Sequence, residues 1–323
     1  MLFRSNVRFI GTATIGYDHI DIHYCEKNNI KWTNSPGCNS SSVQQYIASA
    51  LLTIASGFRF SLKEKTLGII GVGNVGSKVA TLGKILGMNV LLNDPPRARK
   101  EGYKEFVTID RVLQEADIVT VHVPLTMAGE DKTYHLFDNI TFNKMKKGSW
   151  FFNSSRGEVV DTIALKYGLD NSNPAGAVID VWENEPDIDQ ELLSEVFLAT
   201  PHIAGYSADG KANGTAMVVN SLSSFFHLPL ENWYPGNVPQ PAFAEMVVDG
   251  GGKTEEDIIR EAVLHTYNIK IDDEKFRHSP SDFEMQRGDY PLRREFPSYS
   301  VRLSNSSENV GSLLEKMGFM LCG

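Results

Sequence analysis

A glycine-rich turn, Gly71-Val72-Gly73-Asn74-Val75-Gly76, constrains the fold of this chain more than any other segment. The apolar run at 67–70 predicts a β-strand before it, and residues 77–86 predict a helix after it. Between a strand and a helix, glycines at this spacing permit a tight bend, a close approach of the backbone to a phosphate, and close packing of helix on strand. The motif therefore predicts a dinucleotide site at the start of the helix.

Asp94 supports this interpretation, because it follows the next predicted strand, residues 89–92, about 18 positions beyond the turn. Its carboxylate is expected to accept hydrogen bonds from ribose hydroxyls and to repel a 2′-phosphate, which favours NAD over NADP. Arg97 and Arg99 lie close by and leave NADP open as the weaker alternative. A glycine-rich turn without a ligand is the other alternative.

Short apolar runs alternate with helical stretches from Thr66 to Thr200, which predicts βαβ units. The runs lack polar alternation, as is typical of a parallel sheet covered on both faces. The predicted strands are residues 67–70, 89–92, 118–121, 150–152, 177–179 and 196–198. The expected fold is therefore α/β, with a doubly wound parallel Rossmann sheet. Beyond a Pro-rich stretch near Trp233, a helix from about 254, a strand at 299–303 and a helix at 310–317 predict a small α+β unit.

Arg156, Glu185 and His202 each follow one of the late predicted strands. The carboxyl ends of parallel strands meet at one edge of a sheet, so we expect the three side chains beside the dinucleotide. An imidazole takes a hydroxyl proton near neutral pH, and a carboxylate behind it stabilises the imidazolium. A guanidinium holds a substrate carboxylate through two hydrogen bonds. Taken singly, the three could instead be a surface arginine, a loop histidine and a cap acid.

The segments that carry these residues resemble the D-2-hydroxyacid dehydrogenases. Asn-x-x-Arg-Gly at 153–157, Asp-Val-x-x-x-Glu-Pro at 180–186 and Pro-His-x-x-Gly at 201–205 stand in the order of that family. The resemblance implies that Arg156 binds the substrate carboxylate, that His202 is the acid/base and that Glu185 orients it. It also implies NAD as the cofactor, with these residues around it: Gly71, Gly73, Asn74, Val75, Gly76, Asp94, Val123, Ser154, Ser155, Asp180 and Gly205.

Further segments resemble a branch of the family that oxidises a phosphorylated 2-hydroxy acid; they are residues 11–19, 35–39, 94–97, 202–206 and 289–296. By this resemblance Thr14 and Tyr206 contact the substrate, and the tail mediates a homodimer. The implied domains are a partial flavodoxin-like substrate domain (1–40 and 204–232), an NAD-binding domain (41–203) and a dimerisation domain (233–323). Members of the family carry about fifty more residues before the position of Met1, so we expect an N-terminally incomplete substrate domain and weak turnover.

Composition limits the partners of the chain. The formal net charge is −9, and no Lys/Arg-rich face is visible, so neither nucleic acid nor an anionic membrane surface is an expected partner. No apolar run approaches the roughly 18 residues that cross a bilayer. Three widely spaced cysteines, Cys25, Cys38 and Cys322, favour reduced thiols and a cytoplasmic location.

Several other interpretations stay open. His19 and His23, with Asp18 and Asp21 beside them, could form a metal pair on one helical face, although a substrate-domain turn is the preferred interpretation and no metal is expected. His122, at a strand end, is interpreted as structural. The alternative functions are another hydroxyacid enzyme, such as 3-phosphoglycerate dehydrogenase, and an NAD-sensing binding protein without catalysis.

Overall fold

The computed structural model describes residues 6–17 and 19–322. In this part of the chain the strands are β1 (Phe9–Gly11), β2 (Lys31–Thr33), β3 (Thr66–Ile70), β4 (Asn89–Asn93), β5 (Ile118–Val121), β6 (Trp150–Asn153), β7 (Gly176–Ile179), β8 (Leu198–Ala199), β9 (Glu245–Asp249), β10 (Ser300–Ser304) and β11 (Met320–Cys322). The α-helices are α1 (Ile22–Lys27), α2 (Ser40–Phe58), α3 (Asn74–Ile85), α4 (Pro95–Glu101), α5 (Ile109–Glu115), α6 (Asn139–Lys144), α7 (Thr162–Asp170), α8 (Gln190–Glu195), α9 (Ala208–Phe226), α10 (Glu255–Thr266), α11 (Ile269–His278), α12 (Phe283–Gly288) and α13 (Glu308–Met317).

The central sheet is parallel, with the strand order β4-β3-β5-β6-β7-β8. Every residue of β5, β6 and β7 is buried, because helices cover both faces. Phe152 and Val178 point into the core shared with α2 and α3, whereas Phe151 and Ile179 point into the core beneath α5 to α8. The predicted Rossmann sheet is confirmed, and each predicted strand overlaps an observed one.

The elements before α2 form a small parallel sheet, β1-β2, with α1 as the crossover. Asp21 caps α1 by accepting a hydrogen bond from the Tyr24 amide at 2.8 Å. α9 returns to this sheet so closely that a Cβ on Gly11 would lie 2.5 Å from Val218. These elements belong to the predicted substrate domain, whose limits stay predictions.

The C-terminal unit corrects the prediction of a small α+β unit. Its strands are parallel, in the order β11-β10-β9, and helices lie in the connections, so the unit is α/β. β9 and β11 were not predicted from the sequence. Alternate residues of β9 are exposed and all three residues of β11 are exposed, so neither forms a buried apolar run.

Helix α2 joins the C-terminal unit to the central sheet. Nearly all of its residues are buried, and its apolar side chains share one core with β3, α3, α10 and α13. Its polar side chains reach the same unit: Gln45 Nε2 donates to the Arg294 carbonyl at 2.9 Å, and Ser49 Oγ accepts from the Ile269 amide at 3.1 Å. The C-terminal unit therefore packs on the nucleotide domain of its own chain.

Two observations bear on the environment of the chain. Cys25 and Cys38 are buried and Cys322 is exposed, and all three thiols are free. Among the described residues, no helix combines the length and the apolar character needed to cross a bilayer.

Candidate active site

The glycine turn has two glycines that the protein itself requires and one that it does not. Gly71 has φ +86°, and its Cβ would lie 2.6 Å from the His122 carbonyl oxygen. A Cβ on Gly76 would lie 2.0 Å from the Gly71 carbonyl oxygen. A Cβ on Gly73, by contrast, would meet nothing within 4 Å. Gly73 also occupies the N-cap position of α3, so the open space lies at the amide-rich end of a helix, where a pyrophosphate fits.

Asp94 lies beside this turn. One carboxylate oxygen accepts from the Val72 amide at 2.8 Å, and the other accepts from the Arg97 amide at 3.0 Å, which caps α4. The Arg97 guanidinium pairs with Glu101 at 2.6 Å. The Arg99 guanidinium pairs in the same way with two acids, Glu130 and Asp131. Both arginines therefore have acidic partners at the surface.

His202 and Glu185 form a hydrogen-bonded pair. His202 Nδ1 lies 2.6 Å from one Glu185 carboxylate oxygen, and the other oxygen accepts from the Trp182 amide at 2.9 Å. His202 has φ +56°, and its amide donates to the Asp180 carbonyl at 2.7 Å. With Nδ1 paired to the carboxylate, Nε2 is the ring nitrogen that remains for proton transfer.

Asp180 shapes the loop that carries His202. Its buried carboxylate accepts hydrogen bonds from the amides of Ile203 and Ala204, at 2.8 and 2.9 Å, and from the Thr200 hydroxyl at 2.6 Å. Burial raises the pKa of the Asp180 carboxyl, against the effect of these donors. The Asp180 side chain therefore stabilises the loop that follows His202.

Arg156 follows β6 at the same edge. Gly157 after it is required, since a Cβ there would lie 1.9 Å from the Trp182 carbonyl oxygen, in the segment that leads to Glu185. Arg156 is half-buried and donates through Nη1 to the Ser155 carbonyl at 2.7 Å. Ser154 Oγ is buried without a hydrogen-bond partner among the described residues. An unpaired hydroxyl on this loop is consistent with a bound dinucleotide.

The remaining predicted site residues lie on the surrounding loops. Val123 follows β5 and contacts the glycine turn, where a Cβ on Gly71 would lie 2.8 Å from Val123 Cγ1. Thr14 is exposed and donates to the Gly16 carbonyl at 2.7 Å. Tyr206 is half-buried, and its ring lies edge-on to Tyr290 at 5.9 Å.

The side chain of Asn74, in the glycine turn, also contacts the loop at 35–39. It lies against Gly37, whose Cβ would be 2.8 Å from Asn74 Cγ. Val75 beside it is half-buried against the core. Gly205 makes a similar contact, because its Cβ would be 2.1 Å from Asn39 Nδ2. The loop at 35–39 therefore touches both the glycine turn and the loop after His202.

The structure also bears on the two interpretations of histidines made from the sequence. His122 Nε2 lies 3.0 Å from Thr120 Oγ1, and burial lowers the pKa of His122 to about 3, so the ring stays neutral. His19 lies in a turn before α1, whereas His23 lies within it, so the two do not share a helical face. Asp18 lies outside the described residues. Among the residues that are described, no group of three or more His, Cys, Asp and Glu could hold a metal ion.

Sequence reasoning missed the contribution of the C-terminal unit to this site. Arg293 donates to the carbonyl of Ala204, two residues after His202, and Tyr290 contacts Tyr206. The segment 289–296 carried a family resemblance but no chemical motif, so nothing in the sequence linked it to the loop.

Comparisons with known proteins find matches over most of the chain. The family described as D-isomer specific 2-hydroxyacid dehydrogenase, NAD binding domain, matches residues 51–204, and a Domain of unknown function (DUF3410) matches residues 238–318. Erythronate-4-phosphate dehydrogenase of Bacteroides thetaiotaomicron is 48% identical over 93% of this chain and 84% of its own length. The enzyme of the same name from Proteus mirabilis is 38% identical over 97% of this chain and 83% of its own length.

Solved structures show the same relationship at lower identity. D-lactate dehydrogenase from Aquifex aeolicus, complexed with NAD and lactic acid, superposes with a TM-score of 0.58 at 28% identity. The match covers 71% of this chain and 80% of that one. An NAD-complexed D-isomer specific 2-hydroxyacid dehydrogenase from Lactobacillus delbrueckii gives a TM-score of 0.56 at 25% identity, over 69% of this chain and 77% of that one.

Proposed function

The chain belongs to the D-isomer specific 2-hydroxyacid dehydrogenase family, among relatives that are erythronate-4-phosphate dehydrogenases, and from that premise we propose its reaction. The reaction is NAD-dependent oxidation of 4-phospho-D-erythronate to (R)-3-hydroxy-2-oxo-4-phosphooxybutanoate, a step of pyridoxal 5′-phosphate biosynthesis. The observation that carries the proposal is the His202–Glu185 pair at the sheet edge that also bears the open glycine turn.

The residues present fit NAD, since Gly73 leaves open space at a helix N-terminus and Asp94 lies next to it. Bound there, NAD would supply the acceptor for the hydride that leaves C2 of the substrate. The residues proposed to surround it are Gly71, Gly73, Asn74, Val75, Gly76, Asp94, Val123, Ser154, Ser155, Asp180 and Gly205. Their loops all lie on or beside the carboxyl edge of the central sheet, where ligands of this fold bind.

His202 is the proposed acid/base. Its Nε2 takes the proton from the C2 hydroxyl, and the Glu185 carboxylate, 2.6 Å from Nδ1, stabilises the imidazolium that forms. Arg156 binds the substrate carboxylate through its guanidinium, which sets the face of C2 that is turned toward the cofactor. Thr14 and Tyr206 contact the rest of the substrate from the N-terminal unit and from the loop after His202.

The direct test is a turnover assay that follows the reduced nicotinamide with 4-phospho-D-erythronate as substrate. D-Lactate and 3-phosphoglycerate serve as comparison substrates under the same conditions. The proposal requires the highest kcat/KM for 4-phospho-D-erythronate. A preference for 3-phosphoglycerate would assign the chain to that activity, and NADH binding without turnover of any of the three would favour a sensing protein.

A homodimer through the C-terminal domain, residues 233–323, is also proposed. Val247 in β9 is 67% exposed and Met320 in β11 is 51% exposed, which leaves apolar side chains uncovered on the C-terminal sheet. Val247→Glu should shift the full chain from dimer to monomer in analytical ultracentrifugation. A chain that is monomeric without any substitution would contradict the proposal.

The domain limits at 40, 204 and 233 and a cytoplasmic location complete the proposal. The limit at 233 is supported by the family match that begins at residue 238. Free thiols at all three cysteines support a reducing compartment.

A further inference from the structure

The loop that follows His202 lies between two buried charges. Asp180 accepts hydrogen bonds from the amides of Ile203 and Ala204 on one side. On the other side, Arg293 of the C-terminal unit donates from Nη2 to the Ala204 carbonyl at 2.5 Å. The Ala204 residue therefore connects a buried carboxylate to a buried guanidinium through its own N–H and C=O groups.

Arg293 is an unusual residue to bury. It is 5% exposed, and no carboxylate among the described residues forms a salt bridge with it. Its guanidinium carbon lies 4.5 Å from the centroid of the Tyr267 ring, and its Nη2 also lies 3.3 Å from the Ser42 carbonyl. Two carbonyl groups and the rings of Tyr267 and Tyr290 surround the charge in place of a salt bridge, so the guanidinium holds these groups in fixed positions around it.

The segment around Arg293 is attached firmly to the start of α9. The guanidinium of Arg294 forms two hydrogen bonds with the Asp209 carboxylate, both at 2.9 Å. The Glu295 carboxylate accepts from the Ser207 hydroxyl at 3.0 Å, and the Ala208 amide donates to the Arg293 carbonyl at 2.9 Å. These contacts hold the backbone at Arg293 against the start of α9, next to the loop that follows His202.

The C-terminal unit also contacts the side chain of Tyr206. Tyr290, three residues before Arg293, lies edge-on to the Tyr206 ring, and the Arg287 guanidinium carbon lies 5.7 Å from the centroid of that ring. Tyr206 is thus contacted by two side chains of the same unit that supplies Arg293. The C-terminal unit therefore contacts both the loop backbone, at Ala204, and the aromatic ring of Tyr206.

We propose that Arg293 is a positioning residue for the reaction: it sets the backbone at Ala204, and through it the His202 imidazole and the Tyr206 ring. This inference rests on the proposed function of His202. Small displacements of a reacting group cost on the order of 10²-fold in rate, so Arg293→Met should lower kcat/KM by about tenfold to a hundredfold. Arg293→Lys keeps the charge but loses the planar fork, and should recover part of that loss.

The experiment measures kcat and KM per NADH-binding site, so that unfolded protein does not count. Arg260→Met is the matched control, because it removes another guanidinium of the C-terminal unit, one that forms an ion pair with Asp257 at 2.8 Å. We expect kcat to fall in Arg293→Met, with a smaller change in NADH affinity, and the control to match wild type. Wild-type kcat and KM per site in Arg293→Met would overturn the inference.

A second measurement does not depend on the substrate. Hydrogen exchange at the amides of Ile203 and Ala204 should accelerate in Arg293→Met and stay unchanged in Arg260→Met, because the loop loses its contact on the carbonyl side. Unchanged exchange there in Arg293→Met would also overturn the inference. If exchange accelerates in Arg293→Met as expected but the wild type does not turn over 4-phospho-D-erythronate, the proposed function fails while the coupling between Arg293 and the loop stands.

Discussion

Replacement of single glycines in the turn at 71–76 tests whether this turn is a cofactor site or has a structural role alone. Gly73→Ala adds a Cβ that meets nothing within 4 Å, and the φ of −75° lies outside the left-handed region that favours glycine. The folded state should therefore tolerate it, with a change in the free energy of unfolding within about 0.5 kcal/mol. Gly76→Ala adds a Cβ 2.0 Å from the Gly71 carbonyl oxygen, so the turn itself must shift.

The two variants should differ in what they lose. In Gly73→Ala the methyl group occupies the space proposed for the pyrophosphate, so at least one charge-assisted hydrogen bond to it is lost. Such bonds contribute about 1.5–3 kcal/mol, which corresponds to an affinity for NADH lower by about tenfold to 150-fold. Gly76→Ala should instead lower the melting temperature, because the clash is with the protein's own backbone.

NADH fluorescence titration and thermal unfolding of the three proteins provide the readouts. Wild-type NADH affinity in a stably folded Gly73→Ala variant would refute the assignment of the turn to the cofactor. A large loss of stability in that variant would refute the steric argument, since it requires open space at Gly73.

Three further predictions concern the site. His202→Ala should lower kcat by about 10²–10⁴-fold while NADH binding stays nearly intact. The loss of kcat in Glu185→Gln should not multiply with the loss in His202→Ala, because both residues act through one imidazole. A threefold or smaller loss of kcat in His202→Ala would remove that residue from the mechanism. Asp94→Ala should narrow the preference for NAD over NADP in direct binding measurements, and a wild-type preference for NADP would contradict the role of Asp94. Burial lowers the pKa of His122 from 6.5 to about 3 in the folded chain, so between these two pH values the unfolded chain binds a proton that the folded chain does not. The free energy of unfolding should therefore fall as the pH drops from about 6.5 to about 3. His122→Gln should flatten this part of the stability profile, and an unchanged slope would exclude His122 as its source.

The sequence determined the central sheet and the chemical types at its edge. Buried parallel strands appear as continuous apolar runs, and the glycine turn, Asp94 and the Arg–Glu–His set each follow such a run within a few residues. Local spacing was enough here because a parallel sheet places the end of every strand at one edge.

Only the tertiary structure decided which of these groups touch and what holds them. The Nδ1 of His202 meets Glu185 because its loop turns through φ +56° and is tied to Asp180, a conformation that no composition signal predicts for histidine. Arg293 reaches Ala204 across 89 positions of sequence, and such contacts carry no periodicity. The same holds for the C-terminal strands: β9 and β11 are partly or wholly exposed, and their parallel pairing with β10 becomes visible only when the chain is folded.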